Sequence, residues 1–503
     1  MTNEHSTKRP SAVVVGGGIA GLVAAWSLSS THEVVLIEAT DRLGGKIATT
    51  TFRDRPLDLG ADAFIIRNDA ALNLCRELGL ESELIEPASK SAAVYTRREL
   101  HPLPKGLIFG IPTDLFALKR SGVINLLGLL RALYDVVAPV PAITLDDFAR
   151  MQRKEFDPTV GEIFHRRFGR ALVNALIDPL VGGINASDVG VLSLYSSMPQ
   201  IAEQIAGKKS IMRALRPRKG TTPTGGSIFR GLAGGMEALV IALERQLISR
   251  GVKIERETSV STIERSGSHQ FTVFSSTATY VVDRIVLATP AYVSAAIVDE
   301  LSPALALELS AIPYAGVATV TMSFHEDDIA PFIARDLADL IEIDSEHPFV
   351  VSEHLLPGSG VLVARDRSSL ITAASFTSTK WPRSHADHEV VIRSSLGHHH
   401  DERALALNDT ELTNAVRREL TTMLGIHAEP LATVIQRWPA SFPQYVSGHG
   451  ARIERVDHLA SDLGIDLVGA AYHGIGLPAC IAHARQAVAR SVRAEDSETK
   501  QDQ

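Results

Sequence analysis

Residues 13–49 read VVVGGGIAGLVAAWSLSSTHEVVLIEATDRLGGKIAT. The β-branched run at 13–15 predicts a strand, Gly16-Gly17-Gly18 a tight turn, and the apolar pattern from Ile19 to about Ser29 a helix. A second strand at 34–37 ends on Glu38, about 20 residues beyond the first glycine, the spacing of a dinucleotide fingerprint. In such a unit Gly16 makes the turn, Gly18 admits a pyrophosphate close to the backbone, and Gly21 lets the helix pack on the strand. The helix N-terminus at Ile19 and Ala20 offers unpaired N–H groups to phosphate, and Glu38 takes the ribose hydroxyls. A glycine-rich turn alone is weak, because such turns arise for structural reasons. Here strand, turn, helix, strand and acidic residue agree.

The continuation carries more. After Glu38 come three residues, Arg42, one residue, Gly44-Gly45, three more residues and Thr49. Adjacent glycines behind an arginine predict a second close approach of backbone to the cofactor, with Arg42 on phosphate or in a structural ion pair. This extended pattern resembles the flavoprotein superfamily that includes amine oxidases, phytoene desaturases and protoporphyrinogen oxidases. The resemblance implies FAD rather than NAD. It also implies that Ala39, Gly45 and Lys46 touch the cofactor along with Gly16, Gly17, Gly18, Ile19, Ala20, Gly21, Glu38 and Arg42.

The chain has 503 residues, enough for roughly three domains or one multi-lobed fold with sizeable cores. A net charge of -8 argues against nucleic acid as the main partner, since phosphate binding needs clustered positive charge. Two cysteines, Cys75 and Cys480, fit a reducing compartment and leave no disulfide framework. The opening MTNEHSTKRPSA lacks an apolar core, so a frayed tail is expected there rather than a secretory signal. No run reaches the roughly 20 apolar residues of a spanning helix, so a soluble, cytoplasmic or peripheral protein is expected.

Further along, Gly60-Ala61-Asp62-Ala63 sets a glycine among small residues, again suited to a flat cofactor, with a plain turn as the bland alternative. A helix is expected at 68–80, capped by Asn68, and a strand pair at 95–103. Residues 106–138 form the most apolar long stretch. Lys119, Arg120, Arg131 and Asp135 interrupt it, predicting two amphipathic helices that face a core by default, or, on the sharper reading, a membrane surface or a porphyrin-like ligand. Residues 144–198 read as helical, with Asp157-Pro158 starting one helix and Gly169 closing it. Arg166-Arg167-Phe168-Gly169, Asp178-Pro179-Leu180, Gly182-Gly183-Ile184-Asn185-Ala186 and Leu192-Ser193 resemble the helical lobe of protoporphyrinogen and coproporphyrinogen oxidases. A basic, glycine-rich segment at 207–227 is expected to be a solvated loop.

Gly234-Gly235-Met236 and a helix at 237–250 return the chain, by the same resemblance, to the FAD domain, where Val260 reads the adenine edge. A buried strand is expected at 280–289. Between 291 and 438 alternating strands at 317–324, 361–364 and 371–375 predict a mixed sheet, the expected substrate lobe. His398-His399-His400-Asp401 invites a metal reading, but neighbouring histidines in a polar loop do not converge on one ion, so no metal is expected.

Residues 437–449 read RWPASFPQYVSGH, where two prolines fix an extended path that can present side chains along one wall. The R-W-P, P-Q-Y and G-H series resembles porphyrinogen oxidases of the Gram-positive coproporphyrinogen type, and Arg437, Tyr445, His449 and His473 are the candidates for substrate orientation or proton handling. At 465–486 a strand, Gly469 and a glycine-rich turn open a helix near Pro478. By resemblance Ala470, Ile475, Gly476 and Leu477 contact FAD. Gly469-Ala470-Ala471-Tyr472 stands where covalently flavinylated relatives carry a cysteine, so FAD is expected to be non-covalent.

The expected fold is thus α/β and α+β: a discontinuous Rossmann-like FAD domain (1–83, 228–295, 460–495), a mixed-sheet substrate domain (84–104, 296–459) and a helical lobe (105–227), membrane-facing on the sharper reading. The resemblance implies oxygen-dependent oxidation of coproporphyrinogen III in heme biosynthesis, with hydrogen peroxide as by-product. Protoporphyrinogen IX oxidase, amine oxidase, carotenoid desaturase and a chaperone-like binding module are the alternatives. The implied partners are a porphyrinogen, molecular oxygen and, transiently, a ferrochelatase.

Overall fold

The computed structural model describes residues 9–89, 91–217, 227–267, 270–329, 358–365, 368–384 and 388–501. The start of the expected tail (1–8) and the second half of the expected basic loop (218–226) lie outside the described residues, while its first half is not a solvated loop but contains the helix Ile211–Leu215, with Ile211, Met212 and Leu215 buried.

Five parallel strands form the first sheet, in the order Lys253–Glu255, Glu33–Ile37, Ser11–Val15, Arg284–Leu287, Ile465–Leu467. Its strands are short and β-branched, and Val13, Val14, Leu36, Ile285 and Val286 are fully buried because helices or a second layer cover both faces. Helix Ile19–Leu28 follows the first strand. It is apolar all round and therefore buried, packed against the C-terminal helix Leu477–Gln501 in one core. Residues from the two ends of the chain thus share one sheet and one core.

The expected strand at 280–289 is two strands. Thr279–Val282 pairs antiparallel with Phe271–Ser275, while Arg284–Leu287 pairs parallel with Ser11–Val15. The break is at Asp283, whose carboxylate accepts hydrogen bonds from the Ser11 backbone N–H and hydroxyl, both at 2.8 Å, and so switches the chain between sheets.

A seven-stranded mixed sheet runs Ala432–Pro443, Tyr314–His325, Glu389–Leu396, Ile371–Phe376, Gly360–Val363, Ala93–Thr96, Glu99–Pro102. Among the described strands of this sheet, only Gly360–Val363 with Ala93–Thr96 is a parallel pair. Pro439 and Pro443 are tolerated because their strand is at the sheet edge. Strand Glu389–Leu396, with Val390, Val391 and Ile392 buried, was not among the expected strands.

Between these sheets in sequence lie the helices. Leu115–Ser121 is capped by Asp114 and Leu126–Val137 by Asn125. The helix expected from Asp157-Pro158 starts instead at Val160, where Thr159 and Glu162 form a capping box. Asp157 is used elsewhere: it accepts from the Ser193 hydroxyl and from the Gly448 N–H, joining this lobe to the C-terminal part of the chain. Likewise the helix expected from Asn68 begins at Ala70, whose N–H donates to Asn68 Oδ1 at 3.0 Å. Residues 173–182 form a π-helix with Pro179 inside it.

Candidate cofactor and substrate site

The glycines of the first turn are required by contact. A Cβ on Gly21 would lie 1.9 Å from the Gly16 carbonyl oxygen, and one on Gly16, at φ +104°, would lie 3.0 Å from Ala288 backbone. Gly18 differs: a Cβ there would meet nothing within 4 Å, and the helix behind it has no side-chain cap. Its first N–H groups, around Ile19 and Ala20, therefore face an open cradle, the local arrangement that receives a phosphate. The second glycine pair packs onto the first. Gly44 N–H donates to Gly17 O at 2.8 Å, and a Cβ on Gly45 would lie 3.3 Å from Gly18 Cα.

Glu38 accepts from Gly17 N–H at 2.6 Å through one oxygen and from Thr40 through the other. Ala39 follows it, and the N–H groups of Glu257 and Thr258, just before Val260, bond Thr40 O and Glu38 O. Arg42 braces the turn, its guanidinium donating to the carbonyls of Leu43, Gly45 and Ile47. Lys46 reaches the Ser441 carbonyl of the edge strand. Desolvation by the surrounding protein lowers its pKa to about 8, although the residue keeps exposed surface.

Residues 58–63 are held from the seven-stranded sheet. Arg393 donates to Leu59 O and Gly60 O at 3.0 and 2.7 Å, and Trp438 Nε1 donates to Leu59 O at 3.1 Å. Buried Asp58 pairs with Arg383 and accepts from Thr49 Oγ1 and Met236 N–H. Asp62 accepts from Lys380 Nζ at 2.6 Å and Trp381 Nε1 at 2.9 Å. Burial works against the Asp62 carboxylate, but Lys380 and Arg393 outweigh it and hold its pKa below the ordinary range. A Cβ on Gly60 would strike Lys46 O at 1.8 Å, so this loop and the Gly44-Gly45 turn are in direct contact; Ala61 and Ala63 flank Asp62 in it.

The C-terminal turn closes the constellation. Val468 N–H donates to Leu287 O at 3.0 Å, beside the Ala288 that touches Gly16. Gly469 sits at φ +130° with open space beyond it. Ala470, Ile475 and Gly476 then lead to Leu477, the first residue of the last helix. Two helix starts and three glycine-rich turns meet at one end of the parallel sheet.

Residues 19–490 match the model for flavin-containing amine oxidoreductases. The chain belongs to that family. Over 95% of its length and 96% of the relative's, it is 31% identical to a coproporphyrinogen III oxidase from Bacillus subtilis (strain 168). It is 26% identical, over 96% of its length and 98% of the relative's, to a protoporphyrinogen oxidase from Bos taurus. A crystal structure from Exiguobacterium sp. 255-15, provisionally assigned as a protoporphyrinogen oxidase, matches with a TM-score of 0.80 and 30% identity over 97% of this chain and 99% of that one. Putrescine oxidase has the same fold, at a TM-score of 0.65 and 16% identity over 96% of this chain and 99% of that one. The family cofactor is FAD, and the residues fit it: the open cradle at Gly18, the second glycine pair and the space beyond Gly469 leave room for an extended dinucleotide.

Of the four residues expected on the substrate side, Tyr445, His449 and His473 gather around the C-terminal turn and Arg437 lies apart from them. Arg437 donates to Asp409 Oδ1 and to Leu407 O, on a neighbouring helix start. Tyr445 is 4% exposed; its hydroxyl donates to Ala470 O at 2.8 Å and accepts from Gly474 N–H at 2.7 Å, so it pins the flavin-family C-terminal turn. His449 is 3% exposed and stacks on Tyr445 with centroids 4.0 Å apart. Burial lowers its pKa to about 3, so it is neutral at physiological pH. His473 lies nearer the surface, 3.2 Å from Asp457 and edge-on to His483. Sequence reading missed Lys380, Trp381, Arg383 and Arg393, which hold residues 58–63 from more than 300 positions away; only the charge-and-tryptophan run at 380–383 hinted at them. His398, His399 and His400 bind one another, Arg365 and Asp401, and among the described residues no group of three or more His, Cys, Asp or Glu is arranged to hold a metal ion.

Proposed function

We propose that this FAD oxidoreductase converts coproporphyrinogen III to coproporphyrin III in heme biosynthesis, with oxygen as acceptor and hydrogen peroxide as by-product. The observation that carries the reading is the meeting of the N-terminal and C-terminal glycine turns on neighbouring strands, in a chain that follows coproporphyrinogen III oxidases over nearly its whole length. Bound FAD, held non-covalently, supplies the hydride acceptor for each two-electron oxidation of the macrocycle. The cofactor set is that given by sequence, from Gly16 to Leu477, with Lys46 and the 60–63 loop forming the wall toward the mixed sheet. Tyr445, neutral His449 and the His473–Asp457 pair act around the C-terminal turn: the first two fix it, and the last stands nearer solvent as the candidate for proton handling. Arg437 supports the edge strand that carries Trp438.

The domain division at 1–83, 228–295 and 460–495 (FAD), 84–104 and 296–459 (substrate) and 105–227 (helical lobe) belongs to the same proposal. So does a membrane-facing role for the lobe. Helix Leu126–Val137 exposes Leu126, Leu127, Leu130 and Val137, the first two by 67% and 75%, beside Phe116 at 73%. No helix among the described residues is long and apolar enough to cross a membrane, so the contact would be peripheral, in a cytoplasmic protein. Flotation with anionic vesicles tests it: binding by the native protein, lost in Leu127→Ser/Leu130→Ser, is expected. A transient ferrochelatase contact completes the proposal, since product must be passed on.

The deciding experiment is anaerobic mixing of holoenzyme with coproporphyrinogen III and with protoporphyrinogen IX separately. Flavin bleaching by the first, then porphyrin fluorescence and peroxide on admission of air, is the expected result. Faster bleaching by protoporphyrinogen IX would favour the activity named for the Bos taurus relative. Bleaching by amines or carotenoid precursors alone would move the chain to another branch of the family, and protein that never holds flavin would make it a binding module.

A further inference from the structure

A cleft separates the π-helical segment from the mixed sheet, lined among others by Gly183, Ala186, Val363, Thr372, Arg365 and His398. Across it runs an ion pair that the cofactor cradle does not use. Asp178 is 3% exposed, and both its oxygens are taken: Oδ1 accepts from Val189 N–H at 3.1 Å and Arg365 Nη2 at 3.2 Å, and Oδ2 accepts from Arg365 Nε. Arg365 reaches further. Its Nη2 donates to Ser187 O at 2.6 Å, and its backbone N–H donates to Asn174 O at 3.3 Å. One residue at the end of a sheet strand thus grips both ends of the segment 174–187.

The segment needs the grip. A π-helix widens the backbone turn and is costly to maintain, and Pro179 inside it supplies no N–H. Gly182 is squeezed, since a Cβ there would lie 2.7 Å from Ser187 O and 3.3 Å from Arg365 Nη2. Ala186 is held at φ +47°, in the left-handed region. Two further sheet contacts fix the turn after the π-helix: His399 N–H donates to Ala186 O at 2.8 Å and Gln444 Nε2 donates to Asn185 O at 3.1 Å. Gln444 precedes Tyr445, which bonds the C-terminal turn at Ala470 and Gly474. Ile184, in the same turn, stands 53% exposed.

We propose that residues 183–186, linked through Gln444 and Tyr445 to the turn at 469–477, form one wall of the porphyrinogen slot, and that the Arg365–Asp178 pair is a positioning device that sets where this wall stands relative to that turn. This rests on the porphyrinogen oxidase reading. Asp178, Asp188 and Asp401 outnumber Arg365 and Arg403 around the pair, so it does not serve as a receptor for substrate carboxylates. Its effect is geometric, and misplacement of a slot wall by about 1 Å costs up to ~100-fold in the reacting step.

The test uses FAD-loaded holoenzyme and three variants. Arg365→Lys keeps the charge and loses the fork; Arg365→Met strands Asp178; Arg365→Met/Asp178→Leu removes the pair without leaving a buried charge. Anaerobic stopped flow with coproporphyrinogen III is expected to give flavin reduction slowed about 10- to 100-fold in the double variant and less in Arg365→Lys. Reduction by dithionite and reoxidation by air should keep native rates, and FAD content should stay stoichiometric. A role in stability alone would lower the melting temperature and leave the reduction rate of folded holoenzyme unchanged. Native rates in Arg365→Lys and in whichever methionine variant folds overturn the proposal. If native holoenzyme is not bleached by either porphyrinogen, the function reading fails and takes this inference with it; if it is bleached and the variants are too, only the inference fails.

Discussion

The turn at 16–18 and the loop at 58–63 both contact the turn at 44–46, yet different means hold them. The first is closed by backbone fit: Gly16 and Gly21 leave no room for a side chain, and Gly44 N–H completes the contact. The second is closed by charge brought from another sheet, with Asp58 on Arg383, Asp62 on Lys380 and Trp381, and Arg393 on two carbonyls. Backbone fit is local and fails all at once when a side chain intrudes. An ion network is assembled only on folding, and its failure depends on which charge is left buried and alone.

Substitutions separate the two. Gly21→Val places atoms on the Gly16 carbonyl and should abolish both the fold and flavin retention, read by flavin absorbance and thermal melting. Gly18→Ala should leave the melting of FAD-free protein unchanged and weaken FAD binding, because its Cβ meets only the open cradle. Equal FAD affinity in Gly18→Ala would break the cradle assignment. In the loop, Arg383→Met should cost about 3–5 kcal/mol in urea unfolding, and Asp58→Leu added to it should recover most of that. A double variant as weak as the single would mean that shape rather than charge holds the loop.

Tyr445 lies between the two cases, a single hydroxyl bridging backbone groups of the C-terminal turn. Tyr445→Phe leaves Gly474 N–H without that acceptor and should cost about 1–3 kcal/mol, with faster loss of FAD on dilution. A further effect concerns pH. Burial lowers the His449 pKa to about 3, while in the unfolded chain it keeps the ordinary histidine value of 6.5, so the unfolded chain takes up a proton that the folded one refuses. Stability should therefore fall as pH drops from 6.5 toward 3. His449→Phe should flatten that part of the stability profile, and an unchanged slope would place the acid sensitivity elsewhere, for example at His483, whose pKa burial lowers to about 4.

Legibility follows the same division. The Val13–Val15 run, the glycine turn, Glu38 and the Gly469 turn could be read directly because each owes its shape to neighbours within a few positions. The break at Asp283 could not, since it depends on Ser11. Asp157 looked like a helix start and instead ties Ser193 to Gly448, leaving Thr159 as the cap. Tyr445 and His449 were read as one wall of a substrate site; they are packed under the C-terminal turn, because two prolines fix the path of the chain but not the side that faces solvent.

By itself, the order of residues determined the nucleotide-binding unit at each end, the helical insertion and the mixed sheet, since periodicity and glycine placement encode local backbone shape. Tertiary structure alone decided that the two ends lie on neighbouring strands, that Arg383, Lys380 and Arg393 serve the 58–63 loop, and that Arg365 spans the π-helical segment. The reason is physical: a buried charge declares its need for a partner in the sequence, but which opposite charge reaches it, across hundreds of residues, is fixed only when packing excludes the water that would otherwise take that place.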